Sequence, residues 1–245
     1  NADRRVFMSA TFADDSVLVT DFAASPTEIA KAIAPGSASD IGDRMILVPQ
    51  ELDPTIADDD IRALVVAKAA EQNVVVIVPS HWRAKYWSES ANLTITAENL
   101  EDGVTRLKQG HVGLALIVNK YDGLDLPYDA CRVLVLDDIP DARRAIDRIE
   151  QSSLHGTSIE IGKSIQQIEQ GMGRGVRASD DHCVVLLMGR SLTSQLFTHG
   201  GISRFTPATH AQFTLSEQIG DQIRDGGIGA IGDTMEYCLK RKPEW

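Results

Sequence analysis

Five consecutive β-branched residues, Val74–Val78, constrain the fold of this chain more than any other stretch. A run that is apolar at every position, and not only at alternate ones, predicts a strand buried on both faces, as in a parallel sheet. Similar short apolar runs occur at 45–48, 114–118 and 184–188. Parallel strands need crossover connections, which are usually helices. These runs therefore predict an α/β fold with a mostly parallel sheet.

Helical segments are predicted between these runs. Ser25 precedes Pro26 and Glu28, which is the pattern of a capped helix start. The three aspartates at 58–60 place negative charge at the positive end of a second helix. The alternation of strands and helices predicts a three-layer arrangement, with helices on both faces of the sheet and a helical C-terminal extension. Further strands are predicted at 5–8, 93–95 and 132–136, and further helices at 82–87, 97–109, 141–151, 158–170 and from 206 onward, with a glycine-rich break at 226–229.

Composition bounds the class of protein. The 245 residues suit one large α/β domain, alone or with a small extension, and 43% hydrophobic residues can form a full core. The net charge of −11 argues against general electrostatic binding of nucleic acid, but not against a local basic groove. Cys131, Cys183 and Cys238 match no metal spacing and are expected to be reduced core thiols. With no signal peptide and no apolar run of membrane-spanning length, the expected location is cytoplasmic, away from membranes.

The segment Gln170–Arg177 carries the strongest candidate for a binding site. Arg174 and Arg177 are three residues apart and are expected to lie on one face of a helical turn. Arginine suits phosphate recognition because its guanidinium is planar, bidentate and always charged. Gln170 adds an amide to the same surface, and Gly173 allows the backbone to approach a ligand. The alternative is a flexible basic turn exposed to solvent.

Three polar loops follow predicted strands, where open α/β sheets bind their ligands. They are Ser9 to Thr11, Pro79 with Ser80, and the turn that holds Gly123 and Asp125. Asp-Gly is also a common turn dipeptide, and taken alone the third loop is more often a plain turn. The arginine segment precedes a strand and must reach the site from a helix. Residues 162–164 read Gly-Lys-Ser but lack the preceding glycine of a phosphate-binding P-loop.

The order of these loops resembles motifs III, IV, V and VI of superfamily 2 helicases. The resemblance covers residues 5 to 190 and is closest to the XPD/DinG-like branch. It implies that the chain is a second, C-terminal RecA-like motor domain. The residues that carry it are Ser9 to Thr11, Val78 to Ser80, Tyr121 to Pro127, and Gln170 to Arg177 followed by Asp180 and Asp181.

The resemblance implies specific roles at the nucleotide. Arg177 would be the arginine finger on the γ-phosphate, and Arg174 would address the triphosphate or its coupling network. Gln170 would help to position both arginines. Gly173, Gly123 and Asp125 would belong to the nucleotide site, and the last two would couple the nucleotide state to the nucleic-acid track.

The resemblance also implies partners and domains. Ser80 and Pro79 would contact the backbone of single-stranded DNA, with RNA as an alternative, while Ser9 and Thr11 would link hydrolysis to strand movement. The cofactors would be ATP and Mg²⁺, whose ligands would lie mostly in an N-terminal RecA-like domain of the same protein. Residues 1–24 would be the motif III segment and linker, 25–198 the second motor domain, and 199–245 the extension.

Neither a P-loop nor an acidic Asp-Glu-x-His box occurs in the sequence. The chain is therefore expected to be inactive alone and to act as part of an ATP-dependent helicase. Two alternatives stay open. One is a binding module for nucleic acid or protein that keeps the motor fold without catalysis. The other is a nucleotide-binding α/β enzyme, such as a transferase, that binds substrate phosphate through the two arginines.

Overall fold

In the part of the chain that the structure describes, six parallel strands form a single sheet in the order β1-β6-β5-β2-β4-β3. The computed structural model describes residues 5–7, 16–29, 42–120, 123–139, 149, 152–154, 156–176, 178–198 and 200–241. The strands are β1 (Asp43–Leu47), β2 (Val74–Val78), β3 (Leu93–Ile95), β4 (Leu114–Val118), β5 (Val133–Asp137) and β6 (His182–Met188).

Helices connect and flank the strands. They are α1 (Ser16–Thr20), α2 (Pro26–Ile29), α3 (Pro49–Leu52), α4 (Asp58–Ala69), α5 (His81–Ser88), α6 (Leu100–Gln109), α7 (Ser158–Met172), α8 (Arg190–Thr193), α9 (Pro207–Gln222) and α10 (Gly227–Leu239). Short helical turns occur at Tyr128–Ala130, Ser194–Thr198 and Gly201–Arg204.

Two hydrophobic layers cover the sheet, because successive side chains of each strand point to opposite faces. Val75 and Ile77 of β2 join one layer, which contains apolar residues of α6, α7 and the segment 124–131. Val74 and Val76 join the other layer, which contains apolar residues of α4, α5 and α10. All residues of β2, β4 and β5 are buried. The arrangement confirms the predicted three-layer α/β fold of a RecA-like domain.

Helix α9 lies along β1, the strand at one edge of the sheet. Ser216 Oγ accepts a hydrogen bond of 2.9 Å from the backbone N–H of Ile46, and the buried guanidinium of Arg44 donates to Thr209 Oγ1 at 3.0 Å. Covering an edge strand in this way satisfies backbone groups that could otherwise pair with another chain. The predicted helical extension is therefore packed on the sheet, through α9 at its edge and α10 on one face.

Most predicted elements agree with the structure within a few residues, and some do not. Residues 5–7 form no strand, in contrast to the expectation for 5–8. The glycine-rich break was placed too late, because α10 already begins at Gly227. Residues 162–164 lie inside α7 and form no loop after a strand. All three cysteines are free and buried, as expected. The helix predicted at 141–151 falls almost entirely outside the described residues.

Candidate functional site

Helix α7 brings the arginine segment to the sheet and ends just before it. Its start is capped by Thr157, whose hydroxyl accepts from the backbone N–H of Glu160 at 3.3 Å. Its last residue is Met172, and the N–H of Gly173 closes the final turn on Glu169 O at 3.0 Å. Three glycines at alternating positions from 171 to 175 have low helix propensity, which explains the stop. Arg174 therefore lies just beyond the helix, in a turn that its own N–H closes on Gly171 O at 3.1 Å, and its sharing a face with Arg177 stays a prediction.

Arg174 joins the arginine segment to the loop after β4. Its Nε donates to the carbonyl oxygen of Gln170 at 2.8 Å, and its Nη1 donates to the carbonyl oxygen of Leu124 at 2.7 Å. The backbone N–H of Leu126 in turn donates to Arg174 O at 3.3 Å. Two segments that the sequence identified separately are thus fastened to each other by side-chain and backbone hydrogen bonds.

The loop after β4 alternates between buried and exposed side chains. Leu124 and Leu126 are buried in the layer that contains α7, whereas Asp125 is exposed and pairs with Lys108 of α6 at 3.5 Å. Gly123 is exposed and has a φ of +71°, a left-handed conformation that favours glycine. The two leucines anchor the loop, so that Gly123 and Asp125 face outward.

Asp181 fixes the far end of this loop. Its carboxylate is fully buried and accepts from the backbone N–H of Tyr128 at 2.9 Å and from Arg132 Nη1 at 3.0 Å. The neighbouring Asp180 accepts from the Tyr128 hydroxyl at 3.1 Å. The sequence supplied this aspartate pair as part of the resemblance, without a role. The structure makes it a clamp between the start of β6 and the connection that leads into β5.

Gly175 packs against the beginning of β6. A Cβ at this position would lie 2.7 Å from Cys183 Sγ and 3.4 Å from Cys131 Sγ, so only glycine fits. A Cβ at Gly173 would meet nothing closer than 3.5 Å, so the neighbouring described residues do not require glycine there. Because Cys131 precedes β5 and Cys183 is the second residue of β6, Arg174 and Gly175 lie near the amino ends of these strands. The candidate site residues therefore do not all lie at the carboxyl edge of the sheet.

Ser80 and Pro79 lie at the opposite edge of the sheet, directly after the carboxyl end of β2. Ser80 is the N-cap of α5, and its Oγ accepts from the backbone N–H of Arg83 at 3.3 Å. Pro79 is buried, whereas Ser80 is half-buried. The structure thus separates Ser80 from Arg174, and the described residues 123–132 lead to the amino edge of the sheet at β5.

The buried carboxylate of Asp137, which was not predicted as a functional residue, holds α5 in place. Asp137 Oδ2 accepts from Arg83 Nε at 2.7 Å and from Trp87 Nε1 at 2.6 Å, and Arg83 Nη2 also pairs with Asp58 at 2.7 Å. Burial raises the pKa of Asp137 above its usual range, although both hydrogen bonds oppose that shift. Burial acts to lower the pKa of Arg83, but the hydrogen bond to Asp137 raises that pKa above its usual value. The sequence feature that could have identified Asp137 is its position as an acidic residue at the end of the apolar run of β5.

Several predicted site residues lie outside the described part of the chain, namely Ser9, Thr11 and Arg177. Gln170, the remaining member of the arginine segment, is half-buried in the last turns of α7. Within the described residues, no group of three or more His, Cys, Asp or Glu side chains could hold a metal ion. The roles assigned to all of these residues remain predictions.

The fold and the joined loops define a RecA-like α/β domain in which a glycine–arginine turn is fastened to the loop of a neighbouring crossover. The family model described as Helicase C-terminal domain matches residues 63–199, more than half of the chain. The chain belongs to this family, and the predicted helicase C-terminal domain is confirmed.

Two solved structures of XPD helicase are similar to this chain. One is 16% identical, with a TM-score of 0.45, and the match covers 73% of this chain and 36% of that one. The other, described as the apo form, is 16% identical with a TM-score of 0.43, and the match covers 67% and 39% of the two chains. The chain thus spans well under half of either structure. No curated protein matches it. None of the described helices is long and apolar enough to cross a membrane.

Proposed function

We propose that this chain is the C-terminal motor domain of an ATP-dependent nucleic-acid helicase and that it supplies the arginine finger and part of the grip on a single strand. The observation that carries the proposal is the hydrogen bond between Arg174 and Leu124, which fastens motif VI to motif V. A motor needs such a link, because a change at the nucleotide must alter the contact with the strand.

The two arginines of the segment would have separate roles toward a bound triphosphate. Arg174 directs two of its donor groups to the carbonyl oxygens of Gln170 and Leu124, which suits the coupling role. Arg177 is then the arginine left in the segment for the γ-phosphate, with Gln170 helping to position the pair and Gly173 opening the turn. ATP would supply the phosphoryl group, and Arg177 would stabilise the charge that develops on it during transfer. Mg²⁺ would be held by an N-terminal motor domain.

The strand would lie along the carboxyl edge of the sheet. Ser80 would contact its phosphates, on a backbone that buried Pro79 fixes, and Ser9 and Thr11 would link this contact to hydrolysis. Gly123 and Asp125 lie on the connection between the two edges, which supports their assignment to coupling. In this proposal the isolated chain neither hydrolyses ATP nor unwinds a duplex.

The test is strand-stimulated ATP hydrolysis by the complete protein that carries both motor domains. Arg177→Ala should lower kcat by about a thousandfold, the lower range for an arginine finger, with little change in strand affinity without nucleotide. Arg190→Ala removes an exposed arginine from the start of α8 and is the matched control, with unchanged hydrolysis expected. Unchanged hydrolysis in Arg177→Ala would refute the finger assignment, and hydrolysis indifferent to single strands would favour the transferase alternative.

A further inference from the structure

We infer that Trp82 is a stacking platform for a base of the bound single strand, an inference that rests on the proposed function. The indole is 77% exposed, which is unusual for so large an apolar side chain on an ordered helix. It follows Ser80 by two residues, in the first turn of α5 at the carboxyl edge of the sheet. Nothing in the motif resemblance assigns it a role.

Helix α5 is held so that this side chain points outward. Arg83 and Trp87 both donate to Asp137 Oδ2, and Ala84 and Trp87 are buried against the sheet. Arg83 also stacks over Tyr86, with its guanidinium carbon 4.4 Å from the ring centroid. With the inner face fastened by these contacts, Trp82 is presented on a rigid element and loses little freedom when a ligand stacks on it.

Basic residues lie on the helix of Trp82 and at the end of the neighbouring strand, on an otherwise acidic protein whose Asp58 and Asp59 are engaged by Arg83 and Tyr86 of this helix. Lys85 lies one helical turn along the same exposed face and forms no ion pair within the described part of the chain. Lys120 follows β4, where the N–H of Asn119 donates to Val78 O at 2.8 Å and places that loop beside the start of α5. His81, the residue before Trp82, is exposed. Glu89, the nearest acid of this helix, caps its far end.

An aromatic face among cations matches the chemistry of single-stranded nucleic acid. Bases stack on the indole irrespective of their sequence, while the lysines neutralise the phosphates between them. In a duplex the faces of the bases are stacked on one another, so the exposed indole of Trp82 favours single strands. The inferred ligand is therefore a single strand with one base on Trp82 and adjacent phosphates toward Lys85 and Lys120.

The experiment measures the affinity of the complete protein for labelled oligothymidylate and for an abasic strand of equal length. Trp82→Ala should weaken oligothymidylate binding about tenfold, within the range measured for base–aromatic stacking, and leave abasic binding unchanged. Trp82→Phe should retain most of the affinity. Leu215→Ala on α9, another exposed apolar residue, is the control and should bind like the wild type. Because Trp82 and Leu215 are both exposed, we expect unchanged thermal unfolding for all three variants.

Equal affinity of wild type and Trp82→Ala for oligothymidylate would overturn the inference, as would an equal loss on the abasic strand. Strand-stimulated hydrolysis separates this failure from failure of the proposed function. If single strands stimulate hydrolysis and Trp82→Ala changes nothing, only the platform is refuted. If the wild type neither binds single strands nor is stimulated by them, both proposals fail, and capture of a protein partner through Trp82 becomes the better explanation.

Discussion

Arg174 Nη1 donates a 2.7 Å hydrogen bond to the carbonyl oxygen of Leu124, fifty residues earlier in the chain. The contact joins the end of α7 to the loop that follows β4, and the bond from Leu126 N–H to Arg174 O reinforces it. Both bonds involve backbone groups. The link therefore depends on how the two segments are placed and not on which side chain occupies position 124.

Arg174→Lys should weaken this link. A lysine keeps the positive charge but has a single ammonium group, which cannot serve the carbonyl oxygens of Gln170 and Leu124 with the geometry of a guanidinium. We expect the free energy of unfolding to fall by about 1.5 kcal/mol, the lower end of the range for hydrogen bonds from charged groups, because the lysine can still serve one carbonyl oxygen. Urea denaturation measures it. The exposed Arg190→Lys is the control, and an equal effect of both substitutions would contradict the structural role of Arg174.

Gly175→Ala should destabilise the domain by overpacking. The new methyl group would lie 2.7 Å from Cys183 Sγ, which is buried, and the expected cost is about 1–3 kcal/mol. Combining it with Cys183→Ala should restore part of the loss, because the smaller side chain makes room for the methyl group. Strictly additive costs in the double variant would contradict this explanation.

Gly229→Ala is the matched glycine control. Position 229 is exposed within α10, and a Cβ there meets no described residue within 4 Å. Because alanine favours a helix more than glycine does, this substitution should stabilise the domain by about 0.5–1 kcal/mol. The same chemical change thus has opposite signs at 175 and 229, and chemical denaturation of both variants measures the contrast.

The sheet could be predicted from the sequence because its signal is local. The strands at 74–78, 93–95 and 114–118 have the predicted bounds. The first and the third are apolar at every position and end before Pro79 and Asn119, and Leu93–Ile95 is apolar at alternate positions. The helix start at Asp58 was predictable for the same reason, as three acids favour the positive end of a helix. Where the pattern lies within one element, the sequence and the structure agree.

The contacts of the site could not be predicted because they join distant segments. Nothing in the sequence near Leu124 indicates that its carbonyl oxygen accepts from Arg174. The need for glycine at 175 arises from two cysteines in other segments, and no local pattern distinguishes it from Gly173. Ser80 lies at the carboxyl ends of the strands and Arg174 near the amino ends. This separation follows from the crossover topology, which only the assembled sheet defines.

Asp137→Asn should destabilise the domain by loosening α5. The asparagine keeps an oxygen that can accept from Trp87, but it removes the charge that compensates half-buried Arg83. Breaking a buried ion pair in this way costs several kcal/mol, and we expect about 2–4 kcal/mol because Asp58 remains as a partner of Arg83. Unfolding by urea measures the cost. Asp58→Asn, which removes the partly exposed partner, should cost less, and the reverse order would contradict the burial argument.

The ion pair between Glu236 of α10 and Lys68 of α4 should make stability depend on acid pH. Hydrogen bonds from Lys240 and from Lys68, with the charges of both, lower the pKa of Glu236 to about 2 from an ordinary 4.5. A carboxyl whose pKa is lowered on folding stabilises the protein above its unfolded pKa, and this contribution is lost as pH falls through the folded pKa. The relevant window is therefore pH 4.5 down to about 2.

Glu236→Gln should remove that contribution. At pH 7 we expect the variant to be less stable than the wild type by about 1 kcal/mol, because the pair is largely shielded yet near the surface. The difference should shrink between pH 4.5 and 2, as the wild-type carboxyl takes up its proton, and urea unfolding at several pH values measures it. Asp221→Asn, which breaks the more exposed pair with Arg224, should show no comparable trend. A stability difference that is constant from pH 7 to pH 2 would show that Glu236 acts through packing and not through its charge.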